Sequence, residues 1–204
     1  MDSEVLDRQT AEVARRLPVG PRLAVIGSTL FWHPQSEETC ILLGRSLAGL
    51  DGLVLLTGGV KGVGEAVGRS FWAACRERES APHVFHILPR GCWMLDYGET
   101  LFAGSDMGER REILGRLAEV YVAIEGGPGT AQEASAALAR SVVVIPVGRS
   151  GGHSAVLYER IPRPSFTGDL TWRILGIADV SPTQVAGAVI DVVRAYLKQL
   201  KDGI

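Results

Sequence analysis

The chain predicts an α/β protein: a doubly wound, mostly parallel sheet with helices on both faces. Three observations carry this. Short runs rich in branched apolar residues recur at residues 22–27, 53–57, 82–88, 120–124 and 141–147. Each is too short for a helix and rich in the side chains that suit a pleated surface. Each ends in, or within three residues reaches, a glycine. The intervening segments carry apolar residues at helical spacing. That alternation favours parallel strands, because a parallel return needs a crossover of a dozen or more residues.

In order, residues 3–17 read as an amphipathic helix with Val5, Leu6, Val13 and Leu17 on its apolar side, ending before Pro18-Val19-Gly20-Pro21. Strand 22–27 closes at Gly27-Ser28. Residues 36–50 are a helix with Ile41, Leu42, Leu47 and Leu50 inward, stopped by Asp51-Gly52. Strand 53–57 leads through Gly58-Gly59 and Gly62-Val63-Gly64 into a helix reaching Ala74. Strand 82–88 ends in Pro89-Arg90-Gly91, and residues 100–103 form a short further strand. Ser105-Asp106 then open a helix running to about Leu117, with Asp106-x-x-Glu109 spaced as a capping box.

Residues 120–124 are the strand of the most informative unit. It breaks at Gly126-Gly127-Pro128-Gly129 and restarts as a helix at Thr130, with Thr130-x-x-Glu133 again spaced as a capping box. Strand 141–147 ends in a second glycine turn, 148–152. Residues 153–180 are less regular, with a short helix around Trp172, Ile174 and Leu175. Ser181-Pro182-Thr183-Gln184 starts the last helix, which runs to about Leu200 with Val185, Val189, Val192, Val193 and Tyr196 on one stripe. No repeat or linker interrupts this order, so residues 1–204 are expected to form a single Rossmann-like domain.

Composition excludes several classes. A net charge of −2 gives no electrostatic reason for nucleic acid or an anionic membrane as partner. No apolar run approaches a membrane span. The first 17 residues are too charged for a secretory signal. Cys40, Cys75 and Cys92 are odd in number and widely spaced, which fits reduced thiols and a cytoplasmic location. His83 and His86 are three apart on a predicted strand and so face opposite sides, and no metal site is expected there.

In a sheet of this class the ligand lies beyond the C-terminal strand ends, at the point where strand order reverses. The glycine turns fall on that edge: Gly27-Ser28, Gly58-Gly59, and Gly126, Gly127 and Gly129 before Thr130. A strand, a glycine turn and a helix N-terminus together offer backbone N–H groups and a positive dipole end to a phosphate. A dinucleotide enzyme fits poorly, because no acidic residue closes the strand at 82–88 to take a ribose hydroxyl. Lys61 is not followed by Ser or Thr, so there is no Walker A loop.

Gly126-Gly127-Pro128-Gly129-Thr130-Ala131-Gln132-Glu133 resembles the GGxGTxxE motif of the LONELY GUY-like superfamily, long mislabelled lysine decarboxylases and related to the DNA-processing protein DprA. Met107-Gly108-Glu109-Arg110-Arg111 resembles that group's helix-borne Arg-Lys, with Arg110 placed 16 residues before Gly126 as in the family. Thr57-Gly58-Gly59 with Gly62 and Gly64 resembles its earlier glycine turn. The resemblance spans roughly residues 22–148, and its compact turn from Ala139 into Val142, with Arg116, is closest to the molybdenum-cofactor-carrier-like branch.

The superfamily includes nucleotide phosphoribohydrolases of the cytokinin-activating type, cofactor carriers and nucleotide sensors. For this chain the resemblance implies a bound AMP-like nucleotide or pterin-type nucleotide cofactor, no required cofactor, and a homodimer. Read as a carrier or sensor, the chain would hold the phosphate with Arg111, Gly127 and Thr130. Read as a hydrolase, it would use Glu133 and Arg110 at the reacting centre. The plainer alternatives are that Glu133 caps its helix and that Arg110 and Arg111 lie on a solvated face paired with Glu109 or Glu112. Trp32, Trp93 and Trp172 are candidates for stacking on a base. Glu125 stands where the hydrolases usually have Pro, and a carboxylate beside a phosphate site is unfavourable unless it points away or meets a cation.

Overall fold

The computed structural model describes residues 3–202, so Met1, Asp2, Gly203 and Ile204, at the two ends of the expected domain, lie outside the described residues. The elements run α1 (Ser3–Ala14), β1 (Arg22–Gly27), α2 (Ser36–Leu47), β2 (Val54–Thr57), α3 (Val63–Glu77), β3 (Val84–Leu88) and β4 (Glu99–Phe102). They continue with α4 (Met107–Leu117), β5 (Val120–Ile124), α5 (Pro128–Leu138), β6 (Val143–Val147), α6 (Gly152–Arg160), α7 (Asp169–Ile174) and α8 (Pro182–Asp202). All six strands are parallel, in the order β4-β3-β2-β1-β5-β6. The fold is therefore the doubly wound α/β class that the alternation predicts.

Strands β2, β3 and β5 are buried at every position and β1 at all but its two end residues, as a sheet covered on both faces requires. Alternate residues feed two separate cores. Leu23, Val25, Leu55, Val122 and Ile124 meet α2, α3 and α8 on one face. Ala24, Ile26, Leu56, Tyr121 and Ala123 meet α1, α4 and α5 on the other. Phe71 and Ala74 of α3 are each 2% exposed and belong to the first of these cores.

Two helix starts form as their sequences direct. The Asp106 carboxylate accepts from the Glu109 N–H at 2.9 Å, while Glu109 accepts from Ser105 N–H and hydroxyl. Ser181 and Gln184 cap α8 reciprocally. The third differs. Helix α5 begins at Pro128 with Gly127 as its flanking residue and no side-chain cap. Proline suits this first position because its missing N–H would have been unpaired there. The earlier start puts Glu133 beyond the first turn, out of reach of the capping position, so the Thr130–Glu133 capping box does not form. Helix α6 falls in the stretch read as irregular. Only Ser154 and Leu157 of its nine residues are buried, too few for a recognisable stripe.

Candidate functional site

Strand order reverses between β1 and β5: β2, β3 and β4 lie to one side, β6 to the other. A cavity of about 250 Å³ opens at the C-terminal ends of these two strands, at the topological switch point where such sheets place ligands. Gly27 and Ser28 line it from the end of β1, Gly58 from the turn after β2, Arg110 and Arg111 from α4, and Gly127, Gly129, Thr130 and Glu133 from α5. Gly59 and Gly126 do not line it. Gly59 sits against Leu88 and His86, and Gly126 turns the chain at φ 92° beneath the Thr130 side chain. Among the described residues no three His, Cys, Asp or Glu side chains gather into a metal-binding group.

The cavity floor is an ion pair. Arg110 Nη1 lies 2.5 Å from Glu133 Oε1, with 3% and 7% of the two side chains exposed. Helices α4 and α5 come close enough because Gly115 carries no side chain: a Cβ there would stand 2.6 Å from that of Ala136. The joint between α4 and β5 is fixed by the Tyr121 hydroxyl, which donates to Leu114 O and accepts from Ala118 N–H. Burial pushes the Glu133 carboxyl upward, and the two neighbouring guanidiniums pull it back. Burial likewise pushes Arg110 down, against the attraction of Glu133. Arg110 Nε is buried and has no hydrogen-bond partner among the described residues. Neither residue is on a solvated face.

Arg111, the next residue, is in a different situation. It makes no hydrogen bond or ion pair among the described residues, although it lies close enough to bias Glu133 electrostatically. The carboxylates that could have taken it are engaged: Glu109 by Ser105, Glu112 by Gln132 and Arg116. Its guanidinium lies over the start of α5, where a Cβ on Gly129 would stand 2.9 Å from Nε. Among the described residues the Gly129 and Thr130 N–H groups have no acceptor, and the chain's first bond into this helix is Ala131 N–H to Gly127 O. Two guanidiniums against one carboxylate leave the cavity with one excess positive charge.

Glu125 follows the first of the two sequence alternatives: it points away from the cavity, and among the described residues it forms no ion pair. Fully buried, it turns its carboxyl group to the loop after β1, where Oε2 accepts from the Ser28 hydroxyl and Oε1 from the N–H groups of Trp32 (3.0 Å) and His33 (2.9 Å). Its φ of 56° is left-handed, which costs a non-glycine residue roughly 1–2 kcal/mol and excludes proline, fixed near −65°. Its own N–H donates to Ser150 Oγ at 2.7 Å. Sequence reasoning missed this role because the partners lie some 95 residues away and carry no motif.

Of the three tryptophans considered, only Trp32 lines the cavity. Trp93 is 94% exposed elsewhere, and Trp172 is buried, stacked on Tyr158. His83 precedes β3, while His86 is buried within it. Its Nδ1 lies 2.7 Å from Thr57 Oγ1 and its Nε2 3.0 Å from Tyr97 O.

An all-parallel sheet with a glycine turn and helix N-terminus at its switch point, joined to an arginine-bearing neighbouring helix, defines a Rossmann-like α/β protein with its ligand site at the C-terminal strand ends. Within that class the chain belongs to the SLOG cluster4 family, which matches residues 21–163. The solved structure of TM1055 is 31% identical, covering 69% of this chain and 81% of that one, with a TM-score of 0.58. The molybdenum cofactor carrier protein of Chlamydomonas reinhardtii is 25% identical, covering 61% and 75%, with a TM-score of 0.51. The molybdenum cofactor binding protein of Rippkaea orientalis, 21% identical over 86% and 98% with a TM-score of 0.57, shares the fold. No curated protein matches the chain.

Proposed function

We propose that the protein binds a small nucleotide or pterin-type nucleotide cofactor, as a carrier or sensor, with the ligand's phosphate at the N-terminus of α5. The observation that carries this is the unpartnered Arg111 guanidinium lying beside the acceptor-free amides of Gly129 and Thr130. A dianion there would meet a helix dipole, two N–H donors and a charge-assisted bond. At about 250 Å³ the cavity is below the range of roughly 300–1,000 Å³ usual for drug-sized ligands, which suits a mononucleotide better than a dinucleotide. The relative whose name makes it a molybdenum cofactor carrier supports a pterin-type cargo. Calorimetry with AMP, alongside native mass spectrometry of freshly purified protein, tests this. Arg111→Ala is expected to weaken AMP binding at least tenfold, the value of one charge-assisted hydrogen bond. No bound or binding nucleotide, with no effect of Arg111→Ala, would refute it.

A second reading is favoured by Glu133, a buried carboxyl with a raised pKa beside the same cavity. In a nucleotide phosphoribohydrolase, water would add to the ribose anomeric carbon as the bond to the base breaks. Glu133 would stabilise the oxocarbenium-like transition state, and the departing base would take up a proton. The carrier reading stands first because Arg110 already engages the Glu133 carboxylate, and because Glu125 replaces the proline usual in the hydrolases. Release of free base from AMP by the wild type, lost in Glu133→Gln, would reverse that order. The reading also takes a small molecule rather than nucleic acid or membrane as partner, in the cytoplasm, and a homodimer. Light scattering would then give twice the 21.8 kDa of one chain.

A further inference from the structure

We propose that Trp32 is the wall on which the planar ring of the ligand stacks, and that Glu125 is the positioning residue that holds this wall, so the site selects phosphorylated heteroaromatics over bare sugar phosphates. This rests on the phosphate reading above. Trp32 is the one aromatic residue among those lining the cavity. The residue is 57% exposed, a large apolar surface left uncovered, while its backbone N–H is held by Glu125. Indole faces of this kind gain from stacking on any base, because every base has a π-face.

The wall is built from two directions. Beneath it lies Gly152, whose missing side chain makes room for it: a Cβ there would stand 2.6 Å from Trp32 Cζ3. Behind it the buried Glu125 carboxyl group ties down Ser28, Trp32 and His33 together. Gly127 opens the phosphate-binding turn and lies beside the indole, where an added Cβ would come within 3.9 Å of Cη2, so the two subsites share one backbone segment. A ligand with its phosphate at Gly129 and Thr130 therefore has the indole within its own length.

Binding of AMP and of ribose 5-phosphate is measured on the full chain, for wild type and for Trp32→Ala, Trp32→Phe, Glu125→Ala and Glu125→Gln. Trp32→Ala is expected to weaken AMP about 5- to 150-fold, the value of one base stack, with ribose 5-phosphate unchanged. Trp32→Phe keeps AMP within a few-fold. Glu125→Ala shows the same ring-selective loss, and Glu125→Gln restores it, because an amide oxygen accepts both N–H groups and its NH2 donates to Ser28. A merely structural role for Glu125 would lower both affinities or neither. Wild type that binds neither ligand sinks the phosphate reading beneath this one. Wild type that binds both, with Trp32→Ala weakening them equally or not at all, overturns this inference alone.

Discussion

Arg110 and Glu133, 23 residues apart, form a 2.5 Å ion pair in a nearly solvent-free space between α4 and α5. Among the described residues each side chain is the other's only charged hydrogen-bond partner. Removing one partner of such a pair strands the other's charge, at a cost of about 3–5 kcal/mol. Glu133→Ala and Arg110→Ala are each expected to lose that much stability in urea unfolding. The double variant should lose less than the sum, since no charge is then left unpaired. The pair also predicts a clear fall in the melting temperature of Glu133→Gln, because a neutral amide cannot balance the guanidinium. Additive losses in the double-mutant cycle would contradict a coupled pair.

Gly129→Ala separates binding from folding. The added methyl would meet the Arg111 guanidinium at 2.9–3.2 Å, and the mobile end of that side chain can swing aside. In the first turn of a helix, alanine is intrinsically no worse than glycine. The melting temperature should therefore stay at or slightly above the wild-type value while AMP affinity falls about tenfold, as for Arg111→Ala. A variant with wild-type AMP affinity would show that Arg111 does not act from its position over α5.

His86 makes stability depend on pH. Burial holds its imidazole at about 4, below the ordinary 6.5. The unfolded chain therefore binds a proton between these values that the folded chain does not, so stability is fully present above pH 6.5 and is lost as pH falls toward 4. The 2.5-unit difference corresponds to about 3 kcal/mol at most. Urea midpoints should fall across this window. His86→Phe should start lower, having lost the Thr57 and Tyr97 contacts, and should show a shallower fall. Equal slopes for the two proteins would refute the assignment.

Strand and helix order, the parallel sheet and the glycine turns at its ligand edge were legible in the sequence. Each depends on local pattern: strand runs need branched apolar residues, tight turns need glycine, and crossovers need helical spacing. The grouping of Gly27, Gly58, Arg110, Arg111, Gly127, Gly129 and Thr130 around one cavity followed from that order, because parallel topology brings every strand's C-terminal end to one edge. What each charged side chain faces was a different matter. Glu133 has the spacing of a cap, yet it serves Arg110 because α5 starts two residues earlier and Gly115 lets α4 approach. Glu125 reads as a liability beside a phosphate, yet it pins the Trp32 loop through three donors far away in the chain. Hydrogen bonds and ion pairs act over about 3 Å. Only tertiary packing decides which distant groups come within that range, so these partnerships carry no signature in sequence spacing.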